Sequence, residues 1–479
     1  MIEQSYSDEP NQIEQTLVIN EKSENLPQQT MENYIQDKEL LYNAILEFID
    51  YPNDNSNNSG SELCFYSLTK IIKNQQIEKD REEMQEFLQI IKSIIDNHHR
   101  DNNFLPKLEK IFQYYKNQIK QTLSNIEIYH IFESNKKVLL YLLQNNIVTI
   151  TDSIYSEMIN KVESNGNRYC YFFYPEIENF VGEEKMKDVK NELLSKDPNF
   201  FDNYQYKRKE GENDTYICSL IRKDSVEEFI SYVTRMNLVL SSKIEPSIYE
   251  THSFLIENNK TTLFEYSAFF GSIQICQYLQ MSNVKPKPSL WLYSIHSNSP
   301  ELIHFLEYLN VEPPRLSGSK KNNDKNDDYS RCFSEAIKCH HNEIAFYITN
   351  NFLTQKEGND DSKQKEEMIL NSIKYHNYCH FSSEIVCEIG FFYLCLYGYH
   401  KLVNLLLKKK EKEIESKIIL KIFFILFQIN FFLNEILNII FCLIKQQFKW
   451  QLIIMTLKLS IICYPKRKKS RKIFSVKIK

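Results

Sequence analysis

TTLFEYSAFFGSIQICQYLQ at 261–280 and PSLWLYSIHSNSPELIHFLE at 288–307 decide the fold. Aligning Gly271 with Asn298 superposes Tyr266 on Tyr293 and Ser267 on Ser294, at an offset of 27 residues (271 to 298). It also sets Ile275 on Leu302, Cys276 on Ile303 and Leu279 on Leu306. A third copy, SEAIKCHHNEIAFYI, aligns His340 with Asn298, and a fourth, FYLCLYGYHKLVNLLL, aligns Gly398 with His340. Looser copies lie upstream, LIRKDSVEEFISYV at 220–233 and NKKVLLYLLQNN at 135–146.

Each copy reads as two short helices joined by a tight turn. The first helix keeps a small or apolar residue at its centre: Ala268, Ile295, Ala336 or Ile337. The turn falls at Gly271, Asn298, His340 and Gly398; Gly and Asn tolerate the left-handed backbone that ends a helix. The second helix carries an apolar face at i, i+3/i+4 spacing, as in Leu402, Val403 and Leu406. One such pair cannot bury its face alone, but stacked neighbours can, which is the logic of a solenoid. The fold class expected is therefore all-α.

The same residues resemble ankyrin repeats, whose motif is T-P-L-H-x-A-A-x-x-G-H followed by x-x-[IV]-V-x-x-L-L. Thr262, Phe264, Ala268 and Gly271 stand where that motif has Thr, Leu, Ala and Gly, and Ile275 and Leu279 stand at its outer-helix apolar positions. In the last copy Gly398 and Leu405-Leu406-Leu407 match. More closely, ICSLIRKDSVEEFISYV, EYSAFFGSIQICQYL and PSLWLYSIHSNSPELIHFLE resemble a large family of ankyrin-repeat proteins of unicellular eukaryotes, in which a helical N-terminal region precedes degenerate repeats. The likeness covers about 130–407. Its Pro and His are replaced here by Leu263 and Glu265. The 27-residue spacing falls short of the roughly 33-residue ankyrin period, a shortening that belongs to the finger loops. The resemblance implies protein–protein interaction through a stacked array, with no catalysis and no cofactor.

Working outward, residues 1–30 are polar and acidic, and are expected to be disordered. Helical spacing begins near Glu32: Leu40, Leu41, Ala44, Ile45 and Phe48 fit one face, as do Met84, Phe87, Leu88, Ile91 and Ile95, and Phe104, Leu108, Ile111, Phe112, Tyr115 and Ile119. Asp101 and Asn102 are candidate caps for the last run. Residues 31–130 thus form a helical N-terminal domain, and 131–410 the degenerate ankyrin-like region. NDNSNNSGS at 53–61 breaks the first domain. Polar insertions at 317–328 and 355–367 interrupt the second and read as loops.

After Leu407 the chain changes character. IILKIFFILFQINFFLNEILNIIFCLI at 418–444 leads to the basic PKRKKSRK at 465–472. Three readings of this 411–479 tail stay open. The first is a transmembrane helix near 418–444, long enough but burdened by Lys421 and Glu435. The second is a pair of amphipathic helices packed on the array. The third is AT-rich DNA translated out of frame.

Composition removes several functions. The 479 residues include 9 glycines and only four alanines, Ala44, Ala268, Ala336 and Ala345. No G-x-G-x-x-G or G-x-x-x-x-G-K-[ST] occurs, so the common nucleotide-binding loops are excluded. The net charge is −5, and residues 436–479 hold eleven Lys or Arg without an acid, leaving −16 for 1–435 (−5 less +11). An acidic body does not suit nucleic acid. The N-terminus has no signal-peptide pattern, and eleven scattered cysteines suit a reducing cytoplasm.

Cys332, Cys339, His340 and His341 cluster in sequence, as do His376, Cys379, His380 and Cys387, yet no C-x-x-C pair exists, so no metal or cofactor is expected. His98-His99-Arg100 follows a helix, where cationic residues complement its dipole. No catalytic motif such as G-x-S-x-G or H-E-x-x-H is present, and the chain is not expected to be an enzyme. Phe269, Phe270 and His296, at the variable ends of inner helices, are the candidate partner-binding residues. The expected function is a non-catalytic, cytoplasmic scaffold for a protein partner. The alternative is an adaptor anchored in a membrane by 418–444.

Overall fold

The structure, a computed structural model, describes residues 30–52, 59–101, 103–258, 260–314, 329–353, 360–381 and 388–413. Residues 1–29, the insertion 317–328 and the tail beyond 413, with its apolar run 418–444, lie outside the described residues. Every regular element among the described residues is a helix, as expected, and the β features there are two isolated bridges, Val162–Arg168 and Lys243–Thr262. No described helix is long and apolar enough to cross a membrane. Contacts divide the chain into two units, Met1–Ile385 and Val386–Lys479.

The first unit begins with α1 (Met31–Asp50), α2 (Ser59–Asn74), α3 (Arg81–Asn97) and α4 (Phe104–Thr122). Thr30 caps α1 by accepting the Asn33 N–H at 3.2 Å, and Asp80 caps α3 by accepting those of Glu82 and Glu83 at 2.9 and 3.1 Å. The expected faces of α3 and α4 are buried. In α1 the buried stripe runs through Tyr34, Lys38, Leu41, Ile45 and Phe48, and Leu40 falls beyond its edge, 54% exposed. Buried Lys38 is neutralised by Glu83. Before α4, Asp101 accepts the Asn103 N–H at 2.9 Å. The polar break expected at 53–61 yields at Ser59, where α2 begins.

Seven helices then bridge to the array: α5 (Asn125–Phe132), α6 (Lys136–Gln144), α7 (Asp152–Asn160), α8 (Tyr169–Phe172), α9 (Tyr174–Val181), α10 (Glu183–Lys196) and α11 (Tyr204–Glu210).

The array consists of α12 (Tyr216–Arg222) and α13 (Val226–Arg235), a long connection with α14 (Ser253–Glu257), then α15 (Leu263–Phe269) and α16 (Ile273–Met281), α17 (Leu290–His296) and α18 (Pro300–Tyr308), and α19 (Ser330–Lys338) and α20 (Asn342–Phe352). The inner helices α12, α15, α17 and α19 pack on one another in that order, and each packs on the outer helix that follows it. Ala268, Ile295, Ala336 and Ile337 are fully buried, which is what lets inner helices approach closely. Ile275 and Leu302 occupy equivalent buried places in one continuous core.

A left-handed residue ends each inner helix: Asp224 (φ 48°), Gly271 (φ 74°), Asn298 (φ 53°) and His340 (φ 60°). The following N–H reaches back five residues at three of them, Ser225 to Leu220 O (3.1 Å), Ser272 to Ser267 O (2.9 Å) and His341 to Ala336 O (3.0 Å), which satisfies carbonyls the helix leaves open. The outer helices α13, α16 and α18 end the same way. Asn237, Asn283 and Asn310 are left-handed, and Leu238, Val284 and Val311 donate back to Val233, Leu279 and Leu306 at 2.9–3.0 Å. Asn146 and Ile147 repeat the device at the end of α6.

Of the expected loop at 355–367, residues 355–359 lie outside the described residues and the remainder is corrected: α21 runs Asp360–Lys374, so Lys, Gln and Glu, good helix formers, serve a helix there. It packs on α19 as a further inner helix and ends at His376 (φ 51°), followed by a 3-10 turn, Tyr378–His380, in place of an outer helix.

The second unit, described by itself, pairs α22 (Glu388–Leu396) with α23 (His400–Glu413). Gly398 (φ 81°) is its left-handed turn, and the Tyr399 N–H donates to Leu394 O at 3.0 Å.

Candidate functional site

A concentration of buried polar side chains lies where the N-terminal helices meet the inner-helix turns. The connection after α13 returns to the N-terminal group, with α14 against α3, and α1 packs on the Tyr378–His380 turn. Residues 31–130 and the first part of 131–410 therefore belong to one unit.

The left-handed backbone of His340 turns its side chain out of the array and between α1 and α3. Its Nδ1 lies 3.1 Å from Tyr42 Oη and its Nε2 3.1 Å from Ser93 Oγ. The Ser93 hydroxyl donates to Tyr375 O at 2.5 Å. Glu86 of α3 accepts from Tyr34 Oη at 2.5 Å and from Tyr378 Oη. Farther along, Arg100 donates to Thr251 Oγ1 (2.9 Å) and Thr251 O (3.2 Å). The buried Lys136 ammonium pairs with Glu163 at 2.7 Å and donates to Ile248 O at 2.9 Å.

His98, His99 and His341 come together here. Ring centroids are 5.0 Å apart for His98–His99, 4.8 Å for His98–His341 and 5.7 Å for His99–His341. His98 lies with Nδ1 3.0 Å from Cys339 O and Nε2 2.8 Å from Asp50 Oδ1. His341 Nδ1 lies 2.8 Å from Ile295 O. Burial raises the Asp50 carboxyl, but the hydrogen bond and charge of His98 outweigh it and leave the group below its usual value. Burial, then the charge of His98, holds His99 and His341 below the ordinary imidazole range.

The three residues read from sequence as partner contacts sit nearby, Phe269 and His296 inside the protein and Phe270 at its edge. Phe269 is buried and stacks on Phe254 of α14 (centroids 5.9 Å, planes 8° apart). Phe270 is half-buried, with the Arg222 guanidinium 5.9 Å over its ring. His296 is buried between Phe254, at 4.0 Å, and Glu335, whose Oε1 is 2.8 Å from Nε2. The long connection thus covers the inner-helix ends with residues of the same chain.

His296 also faces the Cys339 thiol, with Sγ 3.4 Å from Nδ1. Cys339, His296 and Glu335 therefore lie in the order of a thiol nucleophile, its base and the orienting acid. The chemistry does not follow. Cys339 has no exposed surface, and burial, then the Glu335 charge, pushes its thiol well up, so the reactive thiolate is suppressed. Burial opposes ionisation of Glu335, yet His296 and Lys338 bring its carboxyl down to about 2, so it serves as their counter-ion. A second buried group sets His252 Nδ1 2.9 Å from Glu250 Oε1 and 3.2 Å from Glu212 Oε2. The charges of Arg100 and Lys137 already act on Glu212 there.

The cysteine-histidine clusters seen in sequence do not converge. Cys339 turns to His296, His340 to Tyr42 and Ser93, and His341 to His98 and Ile295 O. Cys387 lies outside the described residues. The sequence reading missed Tyr42, Asp50 and Ser93, and assigned His98-His99 only a helix-end role. It also missed the copy around His376, although SIKYH at 372–376 repeats AIKCH at 336–340. Known protein families, curated proteins and solved structures give no match to this chain.

Proposed function

We propose that this protein is a non-catalytic interaction scaffold, built on a degenerate ankyrin-type array, that binds a protein partner in the cytoplasm through its outer helices. The observation that supports this reading is a recurrence on that side. Met281 and Tyr308, one repeat offset apart (281 to 308), end α16 and α18 and are 78% and 82% exposed. Phe346 of α20 and Met236 and Val239 after α13 are also exposed. Large apolar side chains at repeated outward positions stay largely exposed among the described residues, and such clusters mark contact surfaces. The inner-helix ends are instead occupied by α14.

The test is cross-linking with mass spectrometry in cells, comparing wild type with a Met281→Glu/Tyr308→Glu double variant. We expect at least one stoichiometric partner to be lost from the variant while its thermal midpoint stays within a few degrees of wild type, since surface changes cost within about 0.5 kcal/mol. An identical set of partners for the two proteins defeats this reading.

A further inference from the structure

We propose that His98, His99 and His341, with Asp50 as the fourth donor, form a binding site for a divalent transition-metal ion of the zinc type. Each imidazole offers one ring nitrogen, and the three nitrogens lie within 4.8 Å of one another. Zinc–nitrogen bonds of about 2.1 Å put tetrahedral ligands ~3.4 Å apart, so coordination draws the cluster in by roughly an ångström.

The hydrogen bonds around the cluster point the lone pairs. A carbonyl oxygen only accepts, so His341 carries its hydrogen on Nδ1 toward Ile295 O, and His98 carries one on Nδ1 toward Cys339 O. The His341 Nε2 is left for other work, and the His98 Nε2 faces Asp50 Oδ1 at 2.8 Å. This is how a metal-binding histidine is held in one tautomer by its backbone. The His341 Nε2 is buried and has no hydrogen-bond partner among the described residues, and the same is true of His99 Nδ1. Two buried ring nitrogens without a partner among the described residues are costly, and with the His99 hydrogen on Nε2 a cation meets both. At 2.8 Å a proton bridges His98 Nε2 and Asp50 Oδ1. The metal replaces that proton, which leaves to solvent, and Asp50 turns from hydrogen-bond acceptor to ligand.

Three imidazoles and one carboxylate suit zinc and its neighbours, whereas magnesium and calcium require oxygen donors. The Lys107 ammonium stands near Asp50 but is tied to Ile49 O at 2.8 Å and to Tyr51 O. The other buried clusters lack this character: Glu335 is already bonded by His296 and Lys338, and Glu212 and Glu250 lie beside Arg100 and Lys137. Asp50 ends α1, His98 and His99 follow α3, and His341 opens α20, so the ion ties the N-terminal helices to the array.

The experiment uses the full chain, stripped with a chelator, reloaded with Zn²⁺ or Co²⁺ and dialysed. Wild type is expected to keep about one metal per chain, to show the visible absorption of tetrahedral Co²⁺, and to melt at a higher temperature with metal than without. His99→Gln, at a half-buried ligand, and His341→Gln are each expected to weaken binding by tenfold or more. His304→Gln, on the exposed surface of α18, is expected to bind as wild type. A wild-type chain that retains less than about a tenth of a metal ion, or a His99→Gln chain that binds Zn²⁺ and gives the same Co²⁺ spectrum as wild type, overturns the site. If His341→Gln fails to fold, the His99→Gln comparison and the wild-type spectrum decide.

Discussion

Two stretches of the array solve the same backbone problem differently. At Gly271 and Asn298 the left-handed turn is all that is required: a Cβ on Gly271 would meet nothing closer than Ser297 Cβ at 3.8 Å, and the Asn298 side chain is exposed. At His340 the same conformation is held by an imidazole, which tolerates it less well. Its side chain then carries two hydrogen bonds into α1 and α3. The repeat supplies a turn wherever helix pairs stack, and one copy has turned that position into a docking contact. Conformational demand and tertiary contact can therefore be separated by substitution at equivalent places.

The largest effect is expected where the comparison should break down altogether. Leu279 is fully buried in the layer shared by both stretches. Leu279→Asp loses the apolar side chain and buries an unpaired carboxylate, at more than about 4 kcal/mol. Urea denaturation followed by circular dichroism should show the array unfolded or its midpoint greatly lowered. An unchanged midpoint would mean that the stacked core is wrong.

The next effect separates the histidine-bearing turns from the glycine-bearing ones by pH. Burial brings His376 down to about 3 and His380 down to about 4, both below their unfolded value of 6.5. A histidine buried neutral contributes stability that is fully present above about pH 6.5 and lost as the unfolded chain takes up protons below it. The loss is about 1.4 kcal/mol per pH unit for each such group, continuing to about pH 4 for His380 and about pH 3 for His376. His376→Asn keeps a residue that accepts left-handed φ and removes one proton-linked share, so its stability should fall less steeply between pH 6 and 4. Equal slopes for the variant and wild type would contradict burial of the neutral ring.

The smallest effects sharpen the comparison most. His340→Gly relieves backbone strain by up to ~1 kcal/mol but removes the bonds to Tyr42 and Ser93 and leaves a cavity, for a net loss of about 2 kcal/mol. Asn298→Gly, the same backbone change at the equivalent turn, should stay within about 0.5 kcal/mol of wild type. Equal melting shifts for the two variants would show that His340 is only a turn residue.

Much of this architecture was legible because helix pairs write a periodic pattern. Gly271, Asn298, His340 and Gly398 were recognised as turn residues from alignment alone, and all four are left-handed. The second punctuation was present but overlooked: Asn237-Leu238, Asn283-Val284 and Asn310-Val311 each end an outer helix, and Asn146-Ile147 end α6. A two-residue signal is weak until its register against the first turn is noticed. The helix at 360–367 was hidden because Lys, Gln, Asp and Glu compose loops as readily as exposed helix faces.

By itself the sequence determined the helical class, the paired-helix units and the residues that close them, since these depend on neighbours within a few turns of the chain. Only the tertiary structure decided what lies against those units. Tyr42, Ser93 and His98 meet residues of the α19–α20 turn 298, 247 and 241 positions away. No local pattern marks such meetings, because the contact energy depends on which surfaces are brought together. The same cause placed Phe269 and His296 inside: a connection folded back over the inner-helix ends, and its path is set by what it buries against α3 and the array.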